Sequence, residues 1–453
     1  MLKRTNLLIL VLFLTLTAVA NSGYKYRVLL TDKNKTTYSL NKPHQFLSKK
    51  AIERREKQNL AIDSTDLPVC DAYIKAIKKL GVKVVAKGKW NNFVTIACND
   101  TTLINKITKL PFVRSAKRVW NSPIEKEKAP ERDSLINTYE TNDSLYYGTA
   151  TKQIQINNAD KLHQQGFRGE GMHIAVIDAG YHNLDSIDLM SNVNIAGIKD
   201  FVYPNKNLYL ENSHGLGVLS CMAMNRPYVM VGTAPEATYW LLRSEDEGSE
   251  HLVEQDYWSA AIEYADSVGV DVINTSLGYH SFDDESQNYE YKQLDGESAL
   301  ISKQASLVAQ KGMVLVCSAG NAGAGSWKKI TTPGDATNNL TVGAIDKSGI
   351  LAPFSSIGNT ADGRIKPDVV AVGRASAVVS PQGVLSTANG TSFSSPILCG
   401  MVTCLWQALP QLTAYEIMDL VRQAGDRAEN PDNIYGYGLP DFWKAYELGK
   451  EKK

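Results

Sequence analysis

The chain has 453 residues, 43% of them hydrophobic and 21% charged, which is enough to bury at least one large core and predicts two to three folding units. Beyond the N-terminus no stretch is apolar enough to span a bilayer, and this excludes an integral membrane protein. The formal net charge of zero conceals an asymmetry: residues 21–120 carry 21 Lys and Arg against 7 Asp and Glu, whereas residues 121–453 carry 25 against 41. Such a split indicates either a nucleic-acid-binding segment or two parts of the chain that bind each other.

The first 20 residues have the pattern of a secretory signal peptide. Lys3 and Arg4 precede a short apolar run over residues 7–16, and small residues at Ala18 and Ala20 offer a cleavage site. A membrane anchor is the alternative, but the run is short for a bilayer span. We therefore expect an exported protein, periplasmic or extracellular, that has no membrane association once residues 1–20 are removed.

Residues 21–120 have the pattern of a small folded α+β unit. The predicted order is strand, helix, helix, strand, strand, helix and strand, over residues 26–30, 48–58, 72–80, 83–86, 93–97, 101–109 and 113–118. A basic unit that covers an acidic partner is typical of an intramolecular inhibitor or folding aid, although its basic residues could equally be solvated faces. We expect no nucleic-acid partner, because the unit has no recognised nucleic-acid motif and its aromatic residues are scattered.

Residues 121–150 have the composition of a linker. The stretch 125–133 is charged, lacks apolar periodicity and cannot bury a core. Proteolytic nicking concentrates in exposed segments of this kind. We expect the chain to be cut here during maturation.

Beyond residue 150, short apolar runs alternate with amphipathic helices. Continuous apolar runs predict parallel strands buried on both faces, at residues 173–177, 270–273, 313–316 and 340–342. The predicted helices are residues 213–224, 254–267, 299–310 and 394–409. This alternation predicts an α/β domain over residues 151–453, doubly wound around a mostly parallel sheet with helices on both faces. Its functional site should lie at the carboxyl ends of the strands.

Three polar residues occur where a site at that sheet edge needs them. Asp178 ends a predicted strand and could hold a histidine in one tautomer, or it could simply cap a loop. His214 opens a predicted helix, with Gly215 leaving room beside the imidazole, although a lone histidine there is more often a surface or cap residue. Asn321 follows another strand and could donate its amide N–H to an oxyanion or merely stabilise the turn.

A fourth residue, Ser392, precedes the apolar helical run that starts at Ile397. Most serines before helices are caps. A helix N-terminus nevertheless offers free N–H groups and a partial positive charge, which suit a developing oxyanion. Pro396 is compatible with the first turn, where no N–H bond is lost.

The order Asp, His, Ser matches that of the subtilisin constellation. Asp178-Ala179-Gly180, His214-Gly215 and Gly390-Thr391-Ser392 with Pro396 resemble the Asp-x-Gly, His-Gly and Gly-Thr-Ser-x-x-x-Pro motifs of the subtilisin-like serine peptidases. The segment 272–278 resembles the strand that borders the substrate cleft of that family. The resemblance covers about residues 150–445.

The layout of residues 21–120 is similar, more loosely, to the inhibitory propeptide of the family. Two residues depart from the family pattern, since Leu216 stands where Thr is usual and Ser394 where Ala is usual. Neither departure replaces a group that carries chemistry.

The resemblance implies a serine endopeptidase that is made as a self-inhibited zymogen. Ser392 would be the nucleophile, His214 the general base and acid, and Asp178 the residue that orients the imidazole. Asn321 and the Ser392 N–H would stabilise the oxyanion. The alternative is a catalytically silent relative that binds peptides or proteins; Leu216 is the only feature in its favour.

Substrates are expected to be proteins or peptides. Ser276, Leu277 and Gly278 could pair with an extended peptide by strand addition. By the resemblance, Ser318, Ala319 and Gly320 would form one wall of the primary specificity pocket. The acidic stretches 245–250 and 283–285 suggest a preference for basic residues flanking the cut, or they are simply a solvated acidic surface.

No cofactor is expected. No cluster of Cys and His suggests zinc, and although calcium sites recur in the family, no calcium ligands can be assigned. Cys70 and Cys98 could form a disulfide as an exported pair. The other four cysteines lie in apolar runs and are expected to be buried thiols: Cys221, Cys317, Cys399 and Cys404.

Overall fold

A computed structural model of the chain describes residues 22–123, 131–139 and 145–452. The predicted signal peptide therefore lies outside the described residues, as do two stretches of the predicted linker, 124–130 and 140–144. Within the described ranges, no helix has both the length and the apolar character needed to cross a bilayer.

Residues 22–123 form a four-stranded antiparallel sheet with three helices. The elements are β1 Ser22–Leu30, α1 Lys49–Lys57, α2 Asp71–Lys78, β2 Lys83–Gly88, β3 Phe93–Cys98, α3 Thr102–Ile107 and β4 Val113–Pro123. The strand order is β2-β3-β1-β4. All seven predicted elements are present, with ends displaced by a few residues. Ser48 shows why α1 begins where it does, since its hydroxyl accepts from the N–H of Ala51 at 3.2 Å and caps the helix.

The two faces of this sheet have different partners. Val28, Val94 and Ile96 are fully buried in one core with residues of α2 and α3. Neighbouring side chains in a strand point to opposite faces, so Arg27 and Thr95 face the other way. Both reach the side chain of Asp256, in the rest of the chain, with Thr95 Oγ1 donating over 2.7 Å. The sheet is thus covered on one face by its own helices and on the other by the larger part of the protein.

The larger part of the chain alternates strands and helices as predicted. The first half of this part contains α4 Thr151–Gln155, α5 Asp160–Gln164, β5 His173–Asp178, β6 Asn194–Asp200, α6 His214–Ala223, β7 Asn225–Arg226, β8 Met230–Val231, β9 Thr238–Arg243 and α7 Val253–Val268. The second half contains β10 Val272–Thr275, α8 Leu300–Val308, β11 Val314–Ser318, β12 Leu340–Ile345, β13 Val369–Val372, β14 Ser376–Val379, β15 Leu385–Ala388, α9 Thr391–Ala408, α10 Ala414–Gln423 and α11 Phe442–Lys450.

Seven of these strands form one parallel sheet in the order β13-β12-β11-β10-β5-β9-β6. In β5, Ile174 and Val176 are buried in a core that includes residues of α6 and α9, whereas Ala175 and Ile177 are buried in a core that includes residues of α7 and α8. The sheet therefore carries helices on both faces, which confirms the predicted α/β class.

Three strands of the large sheet were not predicted: β6, β9 and β13. β6 is an edge strand whose residues are mostly exposed, so it lacks the continuous apolar run of the inner strands. The helix after Gly390 also begins earlier than predicted, at Thr391, and this places Ser392 within the first helical turn. Tyr147 and Ala150, which fall in the predicted linker, are buried in the large core.

All six cysteines lie in the described part of the chain, and all are buried free thiols. Cys70 and Cys98 belong to the core of the N-terminal unit without forming the disulfide that the sequence left open. The four other cysteines are buried in the larger part of the chain, as expected.

Candidate active site

Two of the predicted catalytic residues, Asp178 and His214, meet at the carboxyl edge of the large sheet. Asp178 is the last residue of β5, and His214 is the first residue of α6. The imidazole Nδ1 of His214 lies 2.7 Å from Asp178 Oδ1, and the carboxylate is 2% exposed. This hydrogen bond fixes the ring orientation and leaves Nε2 of His214 for proton transfer.

The backbone around His214 explains how these two side chains come so close. The His214 N–H donates to Asn212 Oδ1 at 2.6 Å, which holds the start of α6. A Cβ on Gly215 would lie 2.5 Å from the carbonyl oxygen of Gly180 and 3.0 Å from Asp178 Cβ, so only glycine lets the helix approach the Asp178 loop. Burial lowers the pKa of His214, but the charge and hydrogen bond of Asp178 outweigh burial and raise it above its ordinary value.

Ser392 lies in the first turn of α9, where it is held by a chain of buried hydrogen bonds. Ser276 Oγ donates to the Ser392 carbonyl oxygen at 2.9 Å, and Asn274 Nδ2 donates to Ser276 Oγ at 3.0 Å. Ser395, one turn along α9, donates to Asn274 Oδ1 at 2.8 Å. These hydrogen bonds connect the first turn of α9, which carries Ser392, to the end of β10. In this structure the Ser392 hydroxyl donates to the Ser276 carbonyl oxygen, 3.2 Å away.

Asn321 lies beside the start of α9, and hydrogen bonds to Thr391 fix the orientation of its side-chain amide. Its Oδ1 accepts from the N–H and from the hydroxyl of Thr391, both at 2.9 Å. The Nδ2 group is therefore the part of the amide left to donate towards the cleft. Together with the backbone N–H of Ser392, in the first helical turn, it can bind a negative oxygen.

A cavity of about 350 Å³ opens next to these groups. Five of the six predicted substrate-binding residues line it together with Ser392 and Asn321: Ser276, Leu277, Gly278, Ser318 and Gly320. Ala319 does not line it and is fully buried beside Leu294 and Ile330. Its side chain points away because neighbouring residues in an extended segment face opposite sides.

Thr331 contributes to this cavity and was not predicted. Its hydroxyl oxygen is buried and has no hydrogen-bond partner. A Cβ on Gly278 would lie 2.1 Å from that oxygen, and a Cβ on Gly320 would lie 2.8 Å from it, so both glycines leave the space that Thr331 faces. Apart from its place close before a proline, the sequence carried no signal for Thr331.

The side chains that line the cavity include no Asp, Glu, Lys or Arg, and burial lowers the pKa of His280, which favours its neutral form. The acidic loop 245–250, which the sequence connected with substrate preference, does not line it. Glu245 accepts a hydrogen bond from Tyr279, and burial raises the pKa of Glu245 to about 8. Glu254, also buried, accepts from the backbone N–H groups of Asp246 and His251.

Within the described residues, no three His, Cys, Asp or Glu side chains converge as a metal site would require.

The N-terminal unit is anchored to α7, next to the acidic loop. Asp266 lies at the centre of a buried cluster, with Arg54 at 2.6 Å, Arg55 at 2.9 Å and Lys89 at 3.1 Å. One turn earlier, Glu263 accepts from the backbone N–H of Lys89 at 2.6 Å and from that of Trp90 at 2.9 Å. The positive charge of residues 21–120 is thus paired in part with the negative charge of the larger unit.

Comparisons with known proteins agree with this architecture. Residues 169–438 match the model of the subtilase family, and residues 25–134 match a model of the peptidase S8 propeptide domain of Bacteroidota. The chain is 30% identical to subtilisin NAT of Bacillus subtilis subsp. natto over 312 residues, which are 68% of this chain and 72% of that protein.

Two further comparisons cover less of the chain or show the fold alone. The chain is 28% identical to M-protease of Shouchella clausii (strain KSM-K16) over 285 residues, 62% of this chain and 66% of that protein. The solved structure of MycP3 protease from the type VII (ESX-3) secretion system has a TM-score of 0.53 at 21% identity, covering 69% of this chain and 90% of that one. The latter likeness shows the fold. Because the family model spans more than half of the chain, the chain belongs to the subtilase family of serine endopeptidases and carries a propeptide domain at its N-terminal side.

Proposed function

We propose that this chain is an exported endopeptidase precursor in which Asp178, His214, Ser392 and Asn321 hydrolyse peptide bonds. We place its parts at residues 1–20 for the signal peptide, 21–120 for the propeptide, 121–150 for the linker and 151–453 for the catalytic domain. The observation that carries the proposal is the 2.7 Å contact between His214 and Asp178, at the sheet edge where Ser392 opens α9.

The geometry supports a mechanism through an acyl-enzyme. Ser392 Oγ attacks the peptide carbonyl carbon while His214 Nε2 takes the hydroxyl proton and later passes it to the leaving amine. Asp178 stays ionised and stabilises the imidazolium. Water then attacks the ester, again with His214 as base, and releases the acid product. For the attack, the Ser392 side chain must turn from the Ser276 carbonyl towards His214, and such catalytic hydrogen bonds often tighten only when substrate binds.

The cavity beside Ser392 supports a preference for an uncharged side chain at the position before the scissile bond. The side chains around it include no Asp, Glu, Lys or Arg that could pair with a charged substrate group. Thr331 fills part of the space that Gly278 and Gly320 leave, and its free hydroxyl can pair with a polar substrate atom. The acidic stretches 245–250 and 283–285 lie outside the cavity, so any preference for basic residues concerns other substrate positions.

The propeptide domain is proposed to act as an intramolecular inhibitor. Its β4 strand ends beside the acidic stretches, where Arg118 pairs with Asp284 at 3.2 Å and Trp120 contacts the ring of His251. A unit anchored on α7 and reaching the edge of the cleft can exclude substrate until the linker is cut. Several of its basic residues, among them Arg54, Arg55 and Lys89, have acidic partners within the same chain, which supports an intramolecular role for this positive charge rather than a nucleic-acid partner. We also propose that residues 1–20 direct export. Calcium binding is compatible with the family, but no ligands are assigned in this chain.

Intact mass of purified residues 21–453 tests the proposal, with the Ser392→Ala variant beside the wild type. We expect only the wild type to lose its first hundred or more residues, through a cut between 121 and 150. Cleavage of both proteins alike would show that a host protease did the cutting. If both stay whole, reaction with an active-site-directed phosphonate decides: failure of the wild type to react would support the catalytically silent alternative.

A further inference from the structure

Residues 131–139 lie extended across the catalytic unit although they have no secondary structure of their own. The Arg132 guanidinium contacts both carboxylate oxygens of Asp185, at 2.7 Å each, and also the hydroxyl of Ser186 at 2.8 Å. A parallel two-point contact of this kind fixes position as well as charge. The side chains are 37% and 33% exposed, so the pair lies on the surface with water beside it.

The backbone of residues 131–139 forms hydrogen bonds with the catalytic unit in the way that a bound extended peptide would. The N–H of Asp133 donates to His182 Nε2 at 3.1 Å, and its carbonyl oxygen accepts from Asn183 Nδ2 at 3.1 Å. Further along, the N–H groups of residues 136 and 137 donate to the carbonyl oxygen of Gln382, at 2.9 and 3.2 Å. These contacts use backbone groups, which any sequence can supply, and the Arg132 side chain adds the selectivity.

The docking surface is joined in sequence to the catalytic residues and lies outside the cavity. Residues 182–186 follow Asp178 within a few positions, and residues 381–382 form the turn of the β14–β15 hairpin, which leads directly to Ser392. Neither group lines the cavity that would hold the substrate residue before the scissile bond. The N-terminal unit, in contrast, ends at Pro123 after contacts with the acidic stretch at Asp284. Arg118 and Arg132 therefore contact two different loops of the catalytic unit, at Asp284 and at Asp185.

We propose that Asp185, with Asn183 and the Gln382 turn, forms a substrate subsite on the leaving-group side of the cleft that selects arginine. In the precursor this subsite is occupied by Arg132 of the chain itself. The role of this surface as a substrate subsite rests on the proposed endopeptidase activity. The contacts between the surface and residues 131–139 do not depend on catalysis. In peptide substrates, an arginine downstream of the scissile bond takes the place of Arg132.

A cut anywhere before Glu131 leaves this segment attached to the catalytic domain. Residues 131–139 then remain as a tethered occupant of the subsite, and a substrate must displace them. Arginine-containing substrates compete best, because they recover the same two-point contact with Asp185. Since the pair is partly exposed, its contribution decreases as salt concentration rises.

Hydrogen exchange in the Ser392→Ala precursor tests the binding surface without any catalysis. We expect the amides of residues 133, 136 and 137 to be protected, and Asp185→Asn to speed their exchange about threefold to tenfold. Arg132→Gln should have the same effect if Asp185→Asn folds poorly. Asp188→Asn is the matched control, because Asp188 lies in the same loop and meets the segment through its backbone N–H, which the substitution keeps. Free-chain exchange rates in the Ser392→Ala precursor would overturn the proposal.

Cleavage of a mixed peptide library by enzyme matured from the full chain tests substrate selection. We expect arginine to be enriched at one fixed position downstream of the cut with wild type and Asp188→Asn. Asp185→Asn should reduce that enrichment about threefold to tenfold. The same enrichment in Asp185→Asn, or none in the wild type, would overturn the assignment of Asp185. If the wild type cleaves nothing, the proposed function fails, whereas the exchange measurement still decides whether the surface binds this segment.

Discussion

Asn321 has two roles at the site, because its amide oxygen accepts from Thr391 and its nitrogen is left to donate. We expect Asn321→Ala to fold with a lower unfolding temperature, since buried Thr391 loses the acceptor of two hydrogen bonds, and to lose about 10²–10³ in kcat, as the loss of one oxyanion donor does. Turnover of a peptide amide measures the loss, and thermal unfolding checks the fold. The exposed Asn430, changed to Ala, should keep wild-type turnover. Wild-type turnover in Asn321→Ala would refute the oxyanion assignment.

Thr331 lines the cavity that we propose receives the residue before the scissile bond. Thr331→Ala removes both the hydroxyl and the methyl group, so we expect the preference for Phe over Ala at that position to rise about tenfold. The ratio of kcat/KM for two matched peptides measures it. Thr337→Ala, an exposed threonine nearby in sequence, should leave the ratio unchanged. An unchanged ratio in Thr331→Ala would mean that the substrate side chain binds elsewhere.

Among single residues, the sequence predicted those that belong to short motifs. It did not predict residues whose proposed roles depend on contacts formed only in the folded chain. Asp178, His214 and Ser392 were found because each occurs in a short motif at the end or start of an element. Thr331 and Asp185 reach the site only through the folded chain, 61 residues before Ser392 and seven after Asp178. Ala319, unlike the other five residues predicted to bind substrate, does not line the cavity, because its direction depends on backbone alternation that the sequence did not define.

Helix α7 is the element on which the propeptide domain depends. Burial raises the pKa of Asp266, but Lys89, Arg55 and Arg54 together outweigh burial and hold it far below its usual range. We expect Asp266→Asn to destabilise the precursor by about 3–5 kcal/mol, because it leaves buried cations without their counter-charge. Thermal unfolding of the Ser392→Ala precursor measures this. Asp419→Asn, whose side chain is 54% exposed, is the control.

Equal stability of the precursor with and without the Asp266→Asn substitution would contradict this interpretation of the interface. The result would indicate that apolar contacts across α7 hold the propeptide domain, with the ion pairs contributing little. Earlier loss of the propeptide domain after the cut should accompany the destabilisation, and size-exclusion chromatography of the cut protein would detect it.

Short apolar runs made β5, β10, β11 and β12 predictable, because these strands are buried on both faces. β13 was missed although its four residues are apolar and buried, so the apolar run alone does not identify every inner strand. The edge strand β6 was missed because exposure breaks such a run. The start of α9 was placed three residues late, since Thr391 and Ser392 resemble caps. In the folded protein the contacts of Thr391 with Asn321 draw these residues into the first turn.

Over the whole molecule, the charge asymmetry between residues 21–120 and the rest corresponds to an interface. Burial there raises the pKa of Glu263 to about 7, even though Lys89 and two backbone N–H groups favour its charged form. A carboxylate whose pKa is raised on folding takes up a proton, so its stabilising effect is present at low pH and is lost as pH rises through 7.

We therefore expect the Ser392→Ala precursor to lose stability as pH rises from about 4.5, the ordinary pKa of a Glu side chain, to about 7, by about 1–3 kcal/mol from this group. Glu263→Gln cannot titrate and should show a smaller loss over the same range. Thermal unfolding of both proteins at several pH values measures the difference. Parallel pH profiles for the two proteins would contradict the assignment to Glu263.

The six buried thiols have a consequence for how long an exported molecule of this kind survives. Burial raises the pKa of Cys221, Cys317, Cys399 and Cys404 well above the ordinary value, which keeps these groups protonated and unreactive. Unfolding would expose them to an oxidising compartment, where cross-linking competes with refolding. Unfolding would then be irreversible. For the export that we propose, the lifetime of the protein would therefore be set by its rate of unfolding rather than by an equilibrium constant.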